Sequence, residues 1–123
     1  KATNVCKGVI NKGAKIGKNW LVGLNAVIMD NVELGDEFII GSLTFIKADE
    51  KIPARSLVVG NPSKIIKKVT DEMIQWKTKG TKLYQQLPKE MYESWKECEP
   101  LREIPKEYKF QEKVYKTWNE NKK

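Results

Sequence analysis

A chain of 123 residues with 40% apolar and 32% charged side chains has room for one modest domain of ordinary globular composition. Its net charge of +7 comes from lysines spread from Lys1 to Lys123, without a nucleic-acid motif or a regular interleaving of Arg with aromatics, so no nucleic-acid partner is expected. No apolar run approaches the ~20 residues of a membrane helix, two cysteines give no disulfide framework, and a reducing, cytoplasmic setting without a membrane partner is expected. There is no histidine, which removes the commonest general base and the commonest zinc ligand together.

From Ile16 onward an aliphatic residue recurs every six positions: Ile16, Val22, Ile28, Leu34, Ile40, Ile46, Ile52 and Val58. Gly follows it at Gly17, Gly23, Gly35 and Gly41. A period of six fits neither a helix nor a simple strand alternation. It fits a short extended rung and a corner, repeated, with the aliphatic residue in a narrow core and Gly or another turn-tolerant residue relaxing the corner. Each repeat buries little alone, and stacking supplies the core. The expected fold is mainly β, a parallel β-helix. Before Ile16 the period blurs: Ile10 keeps the interval of six, whereas Val5 pairs with Ile16 at eleven, as one six-residue and one five-residue segment would give. Residues 1–15 therefore read as mid-solenoid, and the chain as the C-terminal part of a longer protein.

The expected division is 1–64 for the coils and 65–123 for a helical segment and a tail packing on the solenoid. Thr70, followed by Asp71 and Glu72, reads as a helix N-cap with favourable dipole charges. Met73, Trp76, Leu83 and Leu87 share one stripe with Gly80, with Ile74 and Tyr84 beside it. Pro88 is expected to end this helix and open a short second one carrying Met91, Tyr92 and Trp95. The tail, with Tyr108, Phe110, Tyr115 and Trp118, is too aromatic for a linker and is expected to pack on the solenoid or on a neighbouring subunit.

GKNWLVGLNAVIMDNVELGD and IPARSLVVGNPSKIIK resemble the hexapeptide-repeat proteins of the γ-class carbonic anhydrase-like group. TDEMIQWKTKGTKLYQQL and EPLRE, with Trp76 and Tyr84 eight apart, are most similar to its phenylacetic-acid-degradation and carnitine-operon branch. The resemblance covers roughly residues 5–120. It implies a left-handed β-helix of triangular section and a homotrimer with its site between subunits. It also implies zinc on three histidines, and hydration or CoA-thioester chemistry.

Aligned on that pattern, CKGVINKGA puts Lys7 and Lys12 at two zinc-histidine positions, and the third lies upstream of residue 1. Lysine has no lone pair to offer at neutral pH, and Cys6, which aligns with a turn glycine, is a single thiol. No metal cofactor is therefore expected in this chain. Asn11 stands where the family has an aliphatic core residue. Lys7 and Lys12 are candidates for binding a CoA phosphate or a carboxylate, or are solvated replacements. Tyr84, which matches a tyrosine near the family's catalytic centre, is a catalytic candidate or a member of the helix's apolar stripe; Asn25 is a catalytic candidate or a turn residue. Asp30 and Glu33 have corner spacing, not that of an acid–base pair. The readings that follow are a γ-carbonic anhydrase-like protein with an altered zinc site, a CoA-dependent acyltransferase, and an inactive trimeric scaffold. A CoA-thioester or bicarbonate-type molecule is the expected ligand.

Overall fold

The computed structural model describes residues 4–106 and 116–121, so Tyr108, Phe110 and Tyr115 of the aromatic tail lie outside the described residues. The coils are built from β1 (Asn4–Val5), β2 (Ile10–Asn11), β3 (Lys15–Ile16), β4 (Leu21–Val22), β5 (Val27–Ile28), β6 (Glu33–Leu34), β7 (Ile39–Ile40), β8 (Phe45–Ile46), β9 (Lys51–Ile52) and β10 (Ser56–Val59). Every third strand pairs in parallel, giving three walls: β1-β4-β7-β10, β2-β5-β8 and β3-β6-β9. Leu21 pairs with Ile39 and Ile39 with Leu57, a coil of eighteen residues. Ile10 pairs with Val27 at seventeen but Lys15 with Glu33 at eighteen, so the side from β2 to β3 is the short one.

The second residue of each two-residue strand points inward, as strand alternation requires. Three inward columns result: Val5–Val22–Ile40–Val58, Asn11–Ile28–Ile46 and Ile16–Leu34–Ile52. The register gives the inward place to Asn11, with Ile10 outward against Val27, so the interval of six that Ile10 keeps is not the structural one. Two positions before each inward aliphatic, a second set fills the corners. Ala26, Val32, Phe38 and Thr44 are buried, and Trp20 stacks on Phe38 with ring centroids 5.8 Å apart. The polar members of this set reach back across the corner. Trp20 Nε1 donates to the Gly17 carbonyl, Thr44 Oγ1 to that of Gly41 and Ser56 Oγ to that of Pro53, at 2.8–3.0 Å.

The corners turn differently from the sequence expectation. The left-handed backbone sits three residues after the inward aliphatic, at Asn19, Asn25, Asn31, Glu37, Leu43, Asp49 and Arg55, with φ between 54° and 64°. The glycines directly after the aliphatic have another task. A Cβ on Gly35 would lie 2.4 Å from the Ala54 nitrogen of the next coil, so Gly35 permits close approach between coils, not a left-handed turn. Asn and Asp tolerate the left-handed region; leucine does so only at a cost of about 1 kcal/mol or more.

After β10 the chain reverses into β11 (Lys64–Lys68), antiparallel to β10, and then enters α1 (Asp71–Ser94). Thr70 Oγ1 accepts from the Met73 N–H at 3.3 Å, the expected N-cap. The helix does not stop at Pro88 but continues through it to Ser94. Proline there removes one hydrogen bond to the Tyr84 carbonyl, and that turn is exposed enough for water to replace it. The buried stripe also differs from the expected one: it is Met73, Lys77, Gly80 and Thr81, while Leu87 and Tyr84 are exposed. By packing, the chain divides inside α1, into units 1–82 and 83–123. The second unit holds the distal part of α1 and the short α2 (Trp118–Asn121). No helix among the described residues is long and apolar enough to cross a membrane.

The two corner rules have opposite consequences. Leu43→Asn should raise stability by about 1 kcal/mol, because it relaxes an exposed left-handed leucine. Gly35→Ala should lower it by about 1–3 kcal/mol through overpacking against the next coil. Urea unfolding of the two variants beside the parent measures both.

Candidate functional site

The three walls differ in what they turn outward. The third wall carries the ladder Lys15–Glu33–Lys51, with Nζ–carboxylate distances of 3.9 and 3.2 Å, beside a shallow cleft of about 590 Å³. The first wall carries Leu21, Ile39 and Leu57, and Ile39 is buried although it faces away from the coil core. The second wall carries Ile10, Val27 and Phe45, an apolar column whose Ile10 is half exposed. Leu24 and Leu43 extend that apolar surface at the corner leading into the second wall, and both are exposed.

The same corner receives two of the candidate residues. Lys7 and Asn25 occupy successive coils there, joined by a hydrogen bond from the Asn25 N–H to the Lys7 carbonyl at 3.0 Å. The Asn25 side chain lies over Gly8: a Cβ on Gly8 would come within 1.9 Å of Asn25 Oδ1. With φ at 54°, Asn25 does the turn's work, which accounts for its residue type whatever else its amide contacts. Both residues are exposed at this corner, beside the apolar column. Lys12 stands at the other end of β2, where its ammonium is 3.9 Å from the Asp30 carboxylate. Tyr84 belongs to the second unit, exposed on α1.

These residues do not fit a zinc ion. Lys7 and Lys12 bring positive charge and no free lone pair. Cys6 is half buried and burial pushes its thiol up, away from the thiolate a metal needs. Among the described residues no three His, Cys, Asp or Glu side chains converge.

One polar cluster escaped sequence reasoning. At the corner between the third and first walls, Asn19, Glu37 and Arg55 stack at eighteen-residue intervals. Asn19 Nδ2 donates to Glu37 Oε1 at 3.4 Å, and Arg55 Nε lies 3.0 Å from Glu37 Oε2. From α1, Asp71 accepts from Arg55 Nη2, and Lys77 Nζ donates to Asn19 Oδ1. Lys77 is only 2% exposed, and desolvation pulls its ammonium below its ordinary value while the Glu37 charge opposes that shift. The available signal was a non-glycine residue recurring at the third place after each aliphatic, together with a lysine four residues after Met73 on the helix stripe.

No family model matches the chain. Among solved structures, a Bacillus cereus protein assigned to the acetyltransferases is 28% identical with a TM-score of 0.66, over 74% of this chain and 52% of its own. A hexapeptide transferase family protein from Anaplasma phagocytophilum shares the fold, at 21% identity and a TM-score of 0.58 over 63% of this chain and 46% of its own. The chain is a hexapeptide-repeat protein with a left-handed parallel β-helix. Within that class its sequence is similar to the carnitine operon protein CaiE. It is 38% identical over 97 residues to CaiE of Salmonella agona and of Escherichia coli K12, covering 79% of this chain and 49% and 50% of those proteins. The chain thus spans about half the length of these relatives.

Lys77 gives the cluster a pH signature. Its folded-state value lies below its unfolded one, so the unfolded chain holds the extra proton as pH rises toward 10.5. Stability should therefore gain a positive slope on the alkaline side, approaching that value. Lys77→Met should remove the slope, with Glu37 and Arg55 still paired; denaturant unfolding at a series of pH values reads it directly.

Proposed function

We propose that this chain is a zinc-independent, trimer-forming member of the CaiE-like hexapeptide group that binds a small acyl anion at the Lys7–Asn25 corner. The observation that supports it is the exposure of Lys7 and Asn25 on successive coils of one corner, joined through their backbones, beside the apolar Ile10–Val27–Phe45 column. Such a surface suits a ligand with a carboxylate or phosphate at one end and an apolar or acyl part alongside. CoA thioesters and related carboxylates have that build, and bicarbonate is the smallest form of the same charge. Lys7 supplies the cation, Asn25 a donor to a carbonyl or carboxylate, and Lys12 adds field from the far end of β2 with Asp30 moderating it. None of these groups generates a nucleophile from water. Tyr84 is reserved in this reading for a role in the assembled protein. The free thiols of Cys6 and Cys98 fit a reducing, cytoplasmic setting. Half-exposed apolar residues on the second wall support a self-associating protein, since packing of copies would cover them.

Similarity to the Bacillus cereus acetyltransferase favours a second reading, acyl transfer from a thioester. It differs from the first in requiring turnover, where the first requires only binding. Carnitine derivatives are the natural first ligands to try, given the names of the CaiE relatives, and phenylacetyl groups follow from the sequence resemblance.

Three measurements test the proposal. Elemental analysis of the purified chain should find well under one zinc per subunit, and about one per subunit would sink the reading. Light scattering should give a mass near three times 14.2 kDa, against which a stable monomer would count. Calorimetric titration with an acyl-CoA at low salt should show binding that weakens about 2–5-fold in each of Lys7→Ala and Lys12→Ala, as partly screened exposed charges do. Release of free CoA during the titration would instead support acyl transfer or hydrolysis.

A further inference from the structure

Three residues with left-handed backbone stack on successive coils at the corner between the first and second walls: Gly8, Asn25 and Leu43. A Cβ built on Gly8 would lie 1.9 Å from Asn25 Oδ1, 3.1 Å from Asn25 Cγ and 3.7 Å from Asn25 Cα. These are the nearest atoms across the coils, so Asn25 Nδ2 stands no closer than 3.7 Å and is turned away from Gly8. The amide therefore has a direction. Its carbonyl oxygen rests on the Gly8 Cα–H, a weak donor that suits an oxygen and not an N–H group. Its nitrogen has no hydrogen-bond partner among the described residues, and Asn25 is exposed.

At the corner between the third and first walls the equivalent stack is closed on itself. There Asn19 Nδ2 donates to Glu37 Oε1, one coil later, at 3.4 Å. Leu43 takes the place of Glu37 above Asn25, and its side chain offers no acceptor. Leu43 is also 69% exposed with φ at 59°, a conformation that costs a leucine and here gains it no burial. A polar side chain would suit that turn better, but it would also close the Asn25 donor. Gly8 on one side and Leu43 on the other thus leave the amide with its oxygen turned in and its N–H2 group open.

We propose that Gly8 and Leu43 are positioning residues for Asn25, which together hold its amide with the N–H2 group outward and without an internal acceptor. The group such an amide takes is an oxygen acceptor, a thioester carbonyl or an anionic oxygen. A cation is refused, because the carbonyl end of the amide faces Gly8. The ligand chemistry rests on the proposed function of the Lys7–Asn25 corner, whereas the orientation of the amide does not.

The test is a double-mutant cycle on the full chain. Leu43→Gln puts a neutral acceptor with the reach of Glu37 beside Asn25 and adds no charge. Calorimetric titration with acetyl-CoA at low salt should show binding weakened about 2–10-fold, the span of one hydrogen bond. In the Asn25→Ala background the same substitution should cause no further loss. A loss of equal size in both backgrounds would overturn the proposal, since Leu43 would then act through a contact of its own. Gly8→Asn tolerates the left-handed turn but puts a Cβ where Oδ1 lies, and it is read by the same cycle should Leu43→Gln fail to fold. Titration with CoA separates the acceptors. A loss confined to acetyl-CoA assigns Nδ2 to the thioester carbonyl, and an equal loss with CoA assigns it to a phosphate oxygen. The amide is also followed without ligand: Leu43→Gln should shift the Asn25 side-chain amide resonances and slow their exchange with water. Unchanged resonances would overturn the orientation. Shifted resonances in a chain whose parent binds neither acetyl-CoA nor CoA would support the orientation and sink the ligand reading alone.

Discussion

Successive coils are joined by backbone hydrogen bonds that run along the axis, as from Gly23 N–H to the Ile40 carbonyl and from Gly41 N–H to that of Val58. Almost everything else in the first unit follows from keeping those bonds aligned. Each side must return the chain to the same height and direction, so the side length, the left-handed residue and the inward aliphatic are repeated together. Neighbouring coils approach too closely at Gly17, Gly23 and Gly35 to admit a Cβ, which is why glycine follows the aliphatic there and why its missing Cβ matters more than its flexibility. The core gained this way is thin. It depends on neighbouring coils for each contact, as expected of a quasi-one-dimensional stack.

The period-six aliphatics made the coil legible, because a mistake of one residue would put the whole set on the outside. The interval of eleven from Val5 to Ile16 implied one five-residue side, but the six-residue spacing kept by Ile10 would put it before Ile10, whereas the register puts it between β2 and β3. The corners were harder to see. Glu37, Leu43 and Arg55 are not turn formers, and their left-handed backbone is imposed by the coils on either side. Tertiary constraint overrode local preference there. Pro88 shows the same effect in the helix, where one lost hydrogen bond on an exposed turn did not end the element.

The candidate site was legible in identity but less so in arrangement. A seventeen-residue coil sets Asn25 over Gly8 and brings its N–H to the Lys7 carbonyl, a fact contained in the register and not in either residue. Lys12, five positions from Lys7, lies across the width of the wall. Lys77 could not be read as buried, since a lysine on a helix is ordinarily solvent-facing and its partner Asn19 comes from a coil far away in sequence. Charge thus plays three parts on the coils: a solvated ladder on one wall, an exposed corner beside an apolar column, and a buried attachment for the helix.

The short side between β2 and β3 shows how such a coil accommodates a missing residue. Gly13 takes the left-handed position two residues after Asn11, where every six-residue corner places it three residues after the aliphatic. The strands before and after keep their pairing with Val27 and Glu33. Length variation is thereby confined to a bend, and the hydrogen-bonded rungs do not shift frame. A solenoid built this way can gain or lose single residues at its edges without any rewriting of its interior, provided that a residue as permissive as glycine stands at the altered corner.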